Sequence, residues 1–117
     1  MSTGHQTGLE GEDAAAAYFE GLGFAVLDRR WKCPEGELDL VVANQALIVF
    51  VEVKARATAA AGHAALEGIS QAPTRLLAAA EHWMAAHPEA LQGRDMRFDV
   101  VLIVPSEPVA HIENALQ

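Results

Sequence analysis

Asp39 and Glu52 are carboxylates set in otherwise apolar runs, Gly36-Glu37-Leu38-Asp39-Leu40 and Phe50-Val51-Glu52-Val53-Lys54, with Lys54 two positions beyond Glu52. Ionised groups inside strands are costly unless they are paired, hydrogen-bonded or bound to a cation. Two carboxylates can hold a divalent cation such as Mg2+, which takes oxygen ligands and keeps several waters; when bound, it acts as a Lewis acid and lowers the pKa of a bound water. A lysine one strand step further can orient such a water or stabilise developing negative charge. The plainer alternative is a solvated strand edge or a simple ion pair. Against it, Leu47-Ile48-Val49-Phe50-Val51 is apolar at successive positions, the pattern of a strand covered on both faces.

For these groups to meet, the two runs must form a hairpin of the right register. Glu37 to Ala43 and Leu47 to Ala55 read as strands joined around Asn44-Gln45-Ala46. Residues opposite each other across a hairpin share one index sum, so Asp39 and Glu52 face each other only if the loop is even. A loop of Gln45-Ala46, or of Asn44 to Leu47, satisfies this, whereas an odd loop sets Asp39 against Val51. On the second strand Glu52, Lys54 and Arg56 share a face at intervals of about 7 Å.

A helix is expected from a capping box at Thr7-Gly8-Leu9-Glu10 to about Leu22, closed by Gly21 or Gly23. Leu9, Glu12, Ala16 and Phe19 then fall on one stripe, which turns Glu12 toward the core. Glu12 in the first turn would suit the helix dipole; a functional carboxylate explains it equally.

Phe24 to Leu27 reads as a short strand and Asp28 to Gly36 as a polar loop. That loop holds Arg29, Arg30 and Lys32 around Trp31, a composition suited to phosphate contact and base stacking, although a loop tryptophan is more often a packing anchor. Residues 57–64 read as a mobile loop and 1–6 as disordered. A short helix is expected near Ala64 and a second one after Pro73, with Trp83 and Met84 in the core. Arg97 to Val104 reads as a strand in which Asp99 lies near solvent.

The chain has 117 residues and 51% hydrophobic content, enough for one domain, 1–117, with a real core. Cys33 is the single cysteine, which excludes an internal disulfide, and the five histidines show no zinc-type spacing with it. No apolar run approaches the ~20 residues of a membrane span and Met1 to Gln6 lacks a signal-peptide layout, so a cytoplasmic location is expected. The net charge of −8 disfavours a polyanionic partner, but the five acids and five bases between Asp28 and Arg56 balance. A divalent cation on Asp39 and Glu52 would make that stretch positive.

The order of helix with Glu12, strand, strand with Asp39, strand with Glu52-x-Lys54, helix and strand resembles the restriction-endonuclease-like, PD-(D/E)xK nuclease core, a mixed α/β fold of four to five strands. Gly11-Glu12, Ala15, Ala17-Tyr18, Gly23-Phe24, Gly36-Glu37-Leu38-Asp39-Leu40, Phe50-Val51-Glu52-Val53-Lys54-Ala55-Arg56, Arg97-Phe98-Asp99-Val100-Val101 and His111-Ile112-Glu113-Asn114-Ala115 together resemble the YraN-like family of small, uncharacterised bacterial proteins. That family is itself similar to archaeal Holliday-junction resolvases.

The resemblance implies Glu12, Asp39, Glu52 and Lys54 as catalytic residues and a Mg2+ or Mn2+ ion on Asp39, Glu52 and Val53. Phosphate contacts are expected from Arg29, Arg30, Lys32 and Arg56. A nuclease acting on structured DNA or RNA is one expectation, and an inactive nuclease-fold module that binds nucleic acid or protein is the other. Cutting of branched DNA would suit a homodimer. The chain departs from the family at Gln71-Ala72-Pro73-Thr74, which lacks the usual lysine.

Overall fold

The computed structural model describes residues 3–67 and 74–115. In chain order the elements are α1 (Thr3–Gly21), β1 (Ala25–Cys33), β2 (Gly36–Ala43), β3 (Leu47–Ala55), α2 (Ala59–Glu67), α3 (Thr74–Ala86), β4 (Asp95–Ile103) and β5 (Ala110–Ile112). The five strands form one sheet in the order β1-β2-β3-β4-β5. Only β3 and β4 run parallel, and α2 and α3 supply the crossover that a parallel pair requires. This is the mixed α/β layout expected of a restriction-endonuclease-like core.

Helices cover both faces of the sheet. Ala15, Ala16 and Phe19 of α1 pack on Leu40, Val42, Val49, Val51 and Val101, while Leu76, Ala79, Ala80 and Trp83 of α3 pack on Leu38, Val41, Ile48, Phe50 and Phe98. Alternation along β3 therefore feeds two cores, which is why its sequence is apolar at successive positions.

Helix α1 approaches the sheet closely at Gly11, where a Cβ would lie 2.5 Å from the Cβ of Ala55. At its other end, Gly23 at φ 95° is the left-handed residue of a Schellman cap. Phe24 N donates to Phe19 O at 3.1 Å, and Gly23 N donates to Glu20 O at 3.0 Å.

Several expectations need correction. Helix α1 already spans Thr7–Glu10, so the capping box there does not open it, and Glu12 lies well past the first turn. Residues 3–6, expected to be disordered, are helical, and residues 1–2 lie outside the described residues. The polar loop expected over 28–36 is instead the rest of β1 and a tight turn at Pro34-Glu35, closed by the Cys33–Gly36 pair. Cross-strand pairing carries this polar sequence: Trp31 faces Leu38, Lys32 faces Glu37, and Asp28 accepts the indole N–H of Trp83 at 3.0 Å.

In the segment 57–64, read as a mobile loop, α2 begins at Ala59, and Gly62 is buried so close to Leu102 that a Cβ would lie 2.8 Å from its Cδ2. Asp99 is not near solvent but 1% exposed. It accepts two hydrogen bonds from Arg97, at 2.8 and 2.7 Å, and the amide of Asn114, and it lies 2.7 Å from His111 Nε2. Gln71 to Pro73, where the departure from the family falls, lie outside the described residues.

Candidate functional site at the fork of the sheet

Pairs Leu40↔Val51, Val41↔Phe50, Val42↔Val49 and Ala43↔Ile48 fix the β2–β3 register at an index sum of 91, and Asn44 N donates to Leu47 O at 2.9 Å to close a two-residue loop, Gln45-Ala46. This is the even loop. It sets Asp39 against Glu52, but the ladder stops one pair short of them.

Beyond Leu40↔Val51 the sheet forks. β3 stays with β4 as far as Ala55↔Ile103, while β2 follows β1 to Gly36↔Cys33. At the fork β2 also changes faces: Leu38 packs with α3 and Leu40 with α1, although residues two apart on a regular strand share a face. Asp39 sits at that change and bridges the gap, its Oδ2 accepting the Val53 N–H at 2.9 Å.

Around Asp39 the polar groups form two sets. On the α1 side, Glu12, Glu37 and Asp39 each offer a carboxylate oxygen within 4.8 Å of the others. Arg30 Nε lies 3.7 Å from Glu12 Oε1 and 3.8 Å from Glu37 Oε1. On the other side, Glu52 alternates with Phe50 and so belongs to the α3 face, where its Oε2 is 3.4 Å from Lys54 Nζ. Gly36, Glu37, Asp39, Glu52 and Leu76 line an open cleft of about 240 Å³ that joins the two sets.

The electrostatics follow from crowding and burial. Burial pushes the Asp39 carboxyl up to about 6, the Val53 N–H opposes the shift, and the charges of Glu52, Glu12 and Glu37 add to it. Burial also raises Glu12, against the pull of Arg30. Glu12 Oε1 is buried and makes no hydrogen bond. A buried carboxylate oxygen without a donor, beside two further carboxylates, is a donor set suited to a hard divalent cation.

The expected site residues are thus distributed unevenly. Asp39 and Glu52 share the cleft, Lys54 is bound to Glu52, and Glu12 joins Asp39 from the opposite face. The Val53 N–H is engaged by Asp39. Of the expected phosphate contacts, Arg30 enters the site, Arg29 pairs with Asp13 of α1, Lys32 is exposed on β1, and Arg56 donates to the Ala55 carbonyl at 2.8 Å. Glu37, whose carboxylate lies with those of Glu12 and Asp39, was not among the expected site residues. Its signal lay in its position two residues before Asp39, on the same face of any regular strand. Trp31 pairs across the strands with Leu38 and packs against the α3-side core, so it is a packing anchor.

The described residues hold no helix long and apolar enough to cross a membrane. Residues 11–103 match the family described as uncharacterised protein family UPF0102. A UPF0102 protein of Rhodopseudomonas palustris (strain ATCC BAA-98 / CGA009) is 42% identical over 94% of this chain and 82% of its own length. One from Frankia casuarinae is 41% identical over 92% and 90%, and one from Bradyrhizobium diazoefficiens is 40% identical over 92% and 78%. The matched span takes in the whole fork, from Gly11 to the end of β4, and by that match the chain belongs to UPF0102.

Proposed function

We propose that this chain is a Mg2+- or Mn2+-dependent nuclease acting on phosphodiesters of structured DNA or RNA. The observation that carries the reading is Asp39 at the sheet fork, within 4.8 Å of Glu12 and Glu37 and lining one open cleft with Glu52. Asp39, Glu12 and Glu37 would hold the ion, and the ion would supply charge to polarise the phosphate and acidify water. Lys54, held by Glu52, would stabilise charge developing on the phosphate, and Glu52 would accept a proton or a hydrogen bond from the attacking water. Arg30, with Arg29, Lys32 and Arg56 further out, would contact flanking phosphates.

The chain's formal charge of −8 favours a second reading, an inactive module that keeps the nuclease fold for binding. One assay separates the two. Branched, flapped, single-stranded and duplex substrates are incubated with Mg2+ or Mn2+ beside Asp39→Ala and Glu52→Ala variants. Metal-dependent cleavage lost in both variants supports the enzyme; binding without cleavage supports the module, and cleavage retained in both variants sinks the site.

A further inference from the structure

Arg30 holds a backbone conformation that its side chain disfavours. Its φ is 53°, in the left-handed region that residues other than Gly, Asn and Asp seldom enter. By the flanking pairs Arg29↔Leu40 and Trp31↔Leu38 it stands opposite Asp39, so both strands are irregular at the same level. Arg29 before it reaches α1, and Trp31 after it packs on the α3 side. The intervening twist sends the Arg30 side chain toward Glu12 and Glu37.

The guanidinium offsets one of the two negative charges without hydrogen-bonding either acid. At 3.7 and 3.8 Å its Nε is beyond hydrogen-bond range of both, and Glu12 Oε1 stays without a donor although buried. Strained conformations of this kind persist where the surrounding structure imposes them, and they concentrate at functional sites. Around the cleft, Glu12, Glu37, Asp39 and Glu52 face the cations Arg30 and Lys54, which leaves two negative charges over, the charge of one divalent ion.

We propose that Arg30 is a built-in counter-ion that competes with the divalent metal for Glu12 and Glu37, so that metal loading releases its guanidinium toward a substrate phosphate. The inference rests on the metal-dependent reading above. Without metal, the guanidinium limits repulsion among the acids. With metal, the carboxylates gain a closer partner, and the planar fork of the arginine is free for bidentate phosphate contact. Phosphate recognition is thereby tied to metal occupancy.

The test is Mn2+ titration of the full chain by calorimetry, using Arg30→Asn, whose side chain tolerates the positive φ, and Arg30→Gly as a second variant. Removing two partly buried ion pairs should tighten Mn2+ binding about three- to tenfold. The gain should survive at about 0.5 M NaCl, where a merely long-range charge effect would be screened. In the unsubstituted chain the Arg30 Nε–H resonance should shift between the metal-free protein and the protein saturated with diamagnetic Mg2+; no shift overturns the release.

Unchanged or weaker Mn2+ affinity in both variants overturns the inference, as does a gain that disappears with salt. No Mn2+ binding to any of the proteins overturns it together with the reading it rests on; binding at unaltered affinity overturns the inference alone.

Discussion

The Val53 N–H donates to Asp39 Oδ2 at 2.9 Å where a β2–β3 ladder would otherwise have gone on to pair Asp39 with Glu52. A side chain thus replaces a backbone pair at the point where the sheet divides. The link fixes the carboxylate between Glu12 and Glu37 on one side and Glu52 on the other, at the cost of crowding like charges.

That crowding makes stability depend on pH. The Asp39 carboxyl rises from an ordinary value near 3.8 to about 6, so the folded chain binds its proton more tightly than the unfolded chain does. The contribution is fully present below about pH 4 and is lost as pH rises through 6. Asp39→Asn should therefore stabilise the metal-free protein by up to about 3 kcal/mol at pH 7 and by well under ~1 kcal/mol at pH 4. Urea denaturation at the two pH values checks this; an equal effect at both would mean that charge is not the cause.

Glu37 offers a direct test of where an ion binds. Its carboxylate lies with those of Glu12 and Asp39, whereas Glu52 is outside that group and holds Lys54. Glu37→Gln should weaken Mn2+ binding at least about tenfold, a loss of ~1.4 kcal/mol, and Glu52→Gln should weaken it less. Isothermal titration of the two variants measures the order, and the reverse order would place the ion on the Glu52 side.

The fork explains how much of this could be read from sequence. Loop parity reduced the relation of Asp39 to Glu52 to a choice between an even and an odd loop, which the observed register decides, and helical spacing turned Glu12 inward, because regular elements carry fixed periods. The change of face at Asp39 and the left-handed Arg30 break those periods, so neither the division into two sets nor Arg30's entry into the site was legible. Glu37 was legible but overlooked. Asp99 was misread because its partners His111 and Asn114 come from the end of the chain, and a buried polar network depends on such distant groups. The polar residues of β1 read as a loop since an edge strand carries little hydrophobic pattern.

Gly11 sets how deeply Glu12 enters the site. Because a Cβ there would lie 2.5 Å from Ala55 Cβ, with no flexible side chain to yield, Gly11→Ala must lift α1 from β3. The overpacking should cost about 1–3 kcal/mol and weaken Mn2+ binding as Glu12 withdraws. Gly21→Ala, with nothing within 4 Å of its Cβ, should leave both nearly unchanged. Thermal melts and metal titrations run side by side check the coupling, and a Gly11→Ala protein that melts like its parent would show that the close approach is not constraining.

A second polar centre, built on Asp99 beside Val51 on the neighbouring strand, fastens β5. Asp99 is fully buried; Arg97 bonds it through two nitrogens and also reaches Glu113 at 3.1 Å. His111 joins Asp99 through Nε2 and lies 2.9 Å through Nδ1 from the Tyr18 hydroxyl, which ties β5 to α1. A neutral His111 ring that donates Nε2–H to Asp99 accepts the tyrosine O–H at Nδ1. Asp99→Asn keeps the shape but leaves Arg97 without its buried counter-charge, and should cost roughly 3 kcal/mol. Tyr18→Phe removes one hydrogen bond and should cost about 1 kcal/mol. If the network acts as one unit, the double variant will lose less than the sum of the two, which a double-mutant cycle in urea measures. Strict additivity would mean that Tyr18 and Asp99 hold His111 independently.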